Sequence, residues 1–150
     1  MKTKILKTIV TAILMSIAFT SCEQMIIGKW TSTSESYANN HIKGGKIHID
    51  LPTLIYVFDS TNNGYRIMIG DKYEDKATFT YSITGTKLTT TYEDHEEIFE
   101  IKEFEDSRIV MDNYHYVSND TSVYTHTHLV LAKNKELRDI DWKDKPDLPR

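Results

Sequence analysis

Histidines stand first among the residues here whose type and spacing can do chemistry. The chain has six, and His126 and His128 lie two apart in the run "SVYTHTHLVLA". Alternation along a strand sends both side chains to one face. If "VSNDTS" closes a hairpin with Val117 opposite Ser122, His115 falls opposite Tyr124, on that same face and diagonal to His126. Three imidazoles so placed form a zinc ligand set. The set depends on that register, because a slip of one residue exchanges faces, and no carboxylate partner can be placed from sequence. Histidines alternating with threonines more often lie on a wet sheet face, so neither a metal nor a cofactor is expected.

Carboxylates and nucleophiles offer less. The cluster "YEDHEE", Tyr92 to Glu97, lacks the oxygen-ligand spacing with an internal glycine that a calcium loop needs. A glycosidase acid would need an apolar setting that a hairpin tip does not provide. Both this cluster and "DKYEDK", Asp71 to Lys76, read as solvated turns. No Gly-any-Ser-any-Gly turn is present, and the single thiol, Cys22, has another reading. The chain is therefore expected not to be an enzyme.

That other reading begins with Lys2, Lys4 and Lys7, followed by the uncharged run "TIVTAILMSIAFT", Thr8 to Thr20. This is the layout of an export signal, and it falls short of the ~20 residues that a helix needs to cross a bilayer. Phe19, Thr20 and Ser21 lead into Cys22 in a way that resembles the lipobox of bacterial lipoproteins. The resemblance implies that residues 1–21 are a signal peptide cut before Cys22. The thiol would take a diacylglycerol, and the new amine an acyl group such as palmitate. With ~0.8 kcal/mol for each buried methylene, two or three such chains anchor a protein stably where one would not. The implied place is the cell envelope, on the periplasmic or surface face of the outer membrane.

Removing residues 1–21 from 150 leaves 129, the size of one domain. Taking its three lysines from the 18 basic residues leaves 15 against 22 acidic ones. A balance of −7 repels phosphate backbones, and nucleic acid is excluded as a partner. The turn signals "NNHIKGGK", "DSTNNG", "TGTK" and "SND" break runs of β-branched and aromatic residues. Phe79, Tyr81 and Ile83 share one strand face, with Thr78, Thr80, Ser82 and Thr84 on the other. The chain is thus expected to be all-β, an antiparallel meander of about eight strands. Closure into a barrel or sandwich would remove its exposed edges. This domain is placed at residues 22–134, and residues 135–150 read as a charged C-terminal tail.

The stretch "IIGKW" resembles the glycine-any-tryptophan motif that opens lipocalin-type barrels. The resemblance implies that Gly28 and Trp30 close one end, with a basic side chain after the last strand, Lys133 or Lys135, over the indole. Phe79 to Met111 is similar to the central hairpins of short lipocalin-like lipoproteins of Gram-negative gut bacteria. It implies a small barrel that holds a small hydrophobic molecule. Alternation nominates Leu54, Tyr56, Phe58, Ile67, Ile69, Phe79, Tyr81, Ile83, Phe99, Ile101 and Met111 as lining. The alternative is a filled barrel whose outer aromatics, Tyr114, Tyr116 and Tyr124, dock a glycan or envelope protein.

Overall fold

The computed structural model describes residues 24–71, 73–117, 119 and 121–133. The leader, Cys22, Lys135 and the 135–150 tail lie outside the described residues. The expected all-β meander is what the chain forms. Its ten strands among the described residues are β1 (Gly28–Ser32), β2 (Tyr37–Ile42), β3 (Gly45–Asp50), β4 (Thr53–Phe58) and β5 (Asn63–Ile69), then β6 (Glu74–Thr84), β7 (Lys87–Thr91), β8 (Glu96–Glu105), β9 (Arg108–Tyr116) and β10 (Tyr124–Lys133).

All pairings are antiparallel, and the sheet closes because β10 pairs with β1 as well as with β9. β1 and β2 share one edge of β10: Trp30 to Ser32 meet Lys133 to Leu131, and Tyr37 to His41 meet His128 to Tyr124. They are two halves of one bent strand, as are β4 and β3 on its far side. The barrel therefore has eight strand positions. At the bend Val130, still paired with Val110 on β9, has no partner on the edge shared by β1 and β2, and nearby groups take that place. The Ser36 hydroxyl accepts from the Val130 amide at 3.0 Å, and Thr33 and Ser36 donate to the Val130 carbonyl at 2.9 and 3.2 Å. The Val130 amide and carbonyl are thus both satisfied on this edge, which lowers the cost of the bend.

Alternation decides the faces. On β6, Phe79, Tyr81 and Ile83 are buried and Thr78, Thr80, Ser82 and Thr84 exposed. The interior gathers Trp30, Tyr56, Phe58, Phe79, Met111 and Leu131 among others into one apolar cluster. An eight-strand barrel is just wide enough for side chains to fill. Here the filling is concentrated toward the end that holds Gly28, the 59–62 turn and Lys133, while the turns at 43–44 and 92–95 mark the opposite, open end.

Candidate functional site

The closed end is built around Trp30, which is fully buried. Its indole N–H donates to the Ile26 carbonyl at 2.7 Å, tying the helical turn at 24–26 across the barrel floor. The Lys133 ammonium sits over the indole, 5.1 Å from the ring centre, and donates to the Met25 carbonyl at 3.2 Å. Gly28 has φ +133°, and a Cβ there would come 3.0 Å from the Lys133 side chain. Glycine thus serves twice, in a backbone region that other residues avoid and under the lysine stem. The structure brings Gly28, Trp30 and Lys133 together.

Above that floor the aromatic side chains fill the lumen. Phe58 meets Phe79 at 5.5 Å and Tyr81 edge-on at 5.0 Å, and Phe79 meets Tyr92 at 5.4 Å. Phe58, Phe79, Tyr81 and Met111, expected as lining, belong to this packed core. A cavity of about 270 Å³ remains above it, lined by Leu54, Tyr56, Met68, Phe99 and Leu129 together with the polar Arg66, Glu97, Asn113 and Thr127. Of the residues expected to contact a ligand, Tyr56 and Phe99 line this cup.

Ile67 does not line it, nor does Ile69. In the β4–β5 ladder Leu54, Tyr56 and Phe58 face Met68, Arg66 and Gly64, whereas Ile67 pairs with Ile55 and Ile69 with Thr53 on the outer face. Alternation in "YRIMI" nominates Ile67 and Ile69, but the register turns Arg66 and Met68 inward. Arg66 is instead neutralised inside. Its guanidinium donates to Glu97 Oε1 at 3.2 Å and lies 5.1 Å from the centre of the Tyr92 ring. The Tyr92 hydroxyl donates to Glu97 Oε2 at 3.2 Å. Of the "YEDHEE" cluster, read from sequence as a solvated turn, Glu97 lines the polar side of the cup and Tyr92 packs into the core beside it. His95 stacks on Tyr92, at 4.5 Å and 6°.

Burial, followed by the negative charge of Glu97 and of ionised neighbours, pushes the Tyr56 and Tyr92 phenols well above the usual value for tyrosine. Both phenols stay protonated, and that of Tyr92 donates to Glu97. Folding favours their neutral form, so the stability they contribute is complete below about pH 10 and is lost as pH rises beyond it. An absorbance titration should show a late tyrosine step that appears only as the barrel unfolds. In Tyr56→Phe combined with Tyr92→Phe the late step should vanish; its persistence would refute the assignment.

The histidines are arranged differently from the candidate set His115, His126 and His128. The hairpin after β9 pairs Tyr116 with Tyr124, so His115 pairs with Thr125 and faces the interior side, away from His126 and His128. The candidate trio is broken because the loop register differs by one residue from the one it requires, which exchanges faces. Asp112, opposite His128, takes the third place. Its Oδ1 lies 2.7 Å from His128 Nδ1 and 3.2 Å from His126 Nε2. Burial raises the Asp112 carboxyl, and the hydrogen bonds to His128 and His126 outweigh it, leaving the group below the usual carboxylate range. Tyr114, Tyr116 and Tyr124 do share this outer face, with Tyr114 47% and Tyr116 50% exposed and the Tyr116 and Tyr124 rings 5.5 Å apart.

A family model described as "Lipocalin-like domain" matches residues 26–111. Among solved structures, the chain is similar to a lipocalin-like protein from Bacteroides uniformis, at 14% identity and a TM-score of 0.45 over 73% of this chain and 99% of that one. It is also similar to an uncharacterized protein from Bacteroides eggerthii, at 13% and 0.45 over 72% and 98%. A deswapped triple mutant of bovine odorant binding protein aligns at 16% and 0.45 over 79% and 80%. No curated protein matches.

Proposed function

The chain belongs to the lipocalin-like domain family, and we propose that it is a non-catalytic binding protein of the cell envelope. In this reading Cys22 carries the lipid anchor and the barrel holds one small, mostly apolar molecule with a polar end. The observation that supports it is the cup itself: about 270 Å³ between Leu54, Met68, Phe99 and Leu129, with Arg66 and Glu97 on one side. Ligand pockets usually span about 300–1,000 Å³, so the occupant is smaller than the ordinary ligand of such a pocket. Its apolar body is driven in by burial. Its polar end meets the Arg66–Glu97 pair, which no purely hydrocarbon ligand would satisfy.

One mass experiment tests both halves. The full-length chain is extracted in detergent from its own membranes and weighed natively and after denaturation. A single non-covalent increment of small mass, lost in Phe99→Trp while the barrel stays folded, is the expected native result. After denaturation, a chain beginning at an acylated Cys22 is expected. A bare native mass in every preparation would overturn the cup and shift the reading to Tyr114, Tyr116 and Tyr124, whose exposed rings suit a glycan. An acyl-free chain would overturn the anchor.

A further inference from the structure

Asp112, His126 and His128 lie on the outside of the barrel, separate from the cup, and we infer that they form a binding site for one first-row divalent transition ion of the zinc type. Their ligand atoms all lie within 4.8 Å of one another. Zinc binds imidazole nitrogen at about 2.0–2.1 Å and carboxylate oxygen at about 2.0–2.2 Å. Two donors on one such ion are then about 3 Å apart, the range of the two Asp112 contacts, 2.7 and 3.2 Å. Little movement is needed to admit the ion among them.

The rings are held in place before any ion arrives. His126 stacks on Tyr114 at 4.4 Å and 3°, and His128 on Tyr37 at 5.1 Å and 27°. The two imidazoles stand 69° apart with centres 6.5 Å from one another, so a shared point can lie near the plane of each. Three neighbouring strands fix the arrangement: β9 supplies Asp112 and Tyr114, β10 both histidines, and β2 Tyr37. A site on paired strands keeps its geometry better than one on loops.

Donor chemistry selects the ion. Two nitrogens and one oxygen suit zinc, cobalt, nickel or copper, whereas calcium and magnesium require oxygen shells. The side chains of Asp112, His126 and His128 are 13, 19 and 24% exposed, which leaves an approach from solvent and a coordination position for water or an outside donor. Glu100 pairs with Asp112 and Asp50 with Tyr37 on the same face, adding negative charge around the site.

The test uses the full-length chain in detergent, stripped with a chelator and titrated with zinc chloride by calorimetry and with cobalt(II) by visible absorption. One zinc per chain and a cobalt spectrum of mixed nitrogen and oxygen ligation are expected. Asp112→Asn and His128→Gln should each weaken zinc binding at least about ten-fold, while His115→Gln, on the other face, should leave it unchanged. Should the ligand variants misfold, selective broadening of the His126 and His128 ring resonances by cobalt in the unaltered protein locates the ion. No heat above dilution, or binding undiminished in folded protein that carries Asp112→Asn together with His128→Gln, overturns the site.

Discussion

Trp30→Ala is expected to lower the unfolding free energy by about 3–5 kcal/mol, the range for truncating a large buried aromatic. The side chain is fully buried and meets each part of the closed end: the Ile26 carbonyl, the Lys133 stem and, through backbone pairing, Tyr56 on β4 and Lys133 on β10. Alanine would leave a cavity where β1 bridges the first and last parts of the chain, and the 24–26 turn would lose its hydrogen bond to the barrel. Typical domains hold only about 5–15 kcal/mol in total, so this substitution removes a large share. Urea unfolding followed by near-ultraviolet circular dichroism measures it. A loss below about 1 kcal/mol would mean that the indole does not close the barrel.

Gly64→Ala should also destabilise, against the usual sign for such a change in a strand. Replacing glycine ordinarily gains about 0.5–1 kcal/mol through lost backbone freedom. Here the new Cβ would come closer than 3.0 Å to the Val57 carbonyl oxygen and to two carbons of the Phe79 ring. Neither can give way cheaply, since one is ladder backbone and the other is locked between Phe58 and Tyr92. Overpacking of this kind costs about 1–3 kcal/mol, so the net effect is a loss. The same substitution in a Phe79→Leu background should cost less, because the ring it strikes is gone. Strict additivity of the two changes would show that the ring is not the obstacle.

These two positions also mark what could and could not be read from the chain. Trp30 stands in a recognisable motif, and the alternation of β6 is unambiguous because threonines fill its outer face. Gly64 looks like part of a turn, "DSTNNG"; only the lateral pairing with Phe79 shows that the missing side chain makes room for a ring. β5 misleads for a related reason. Tyr65, Ile67 and Ile69 lie on one face and Arg66 and Met68 on the other, so both faces carry apolar mass and hydropathy cannot choose. What chooses is Glu97, thirty-one residues away in sequence, which makes an inward arginine affordable. Asp112 was invisible as a partner of the histidines because a hairpin register is set by the geometry of its loop, and one residue there decides which side chains share a face.

The bond between the 24–26 turn and Trp30 has a directional consequence. With the anchor proposed at Cys22, five residues separate the lipid from Gly28, a leash of six Cα steps and at most about 20 Å at full extension. It leads to the floor of the barrel. The protein would then stand on its sealed end like a goblet on a table, its mouth turned away from the bilayer. Cargo would enter and leave through the aqueous phase rather than sliding in from the lipid.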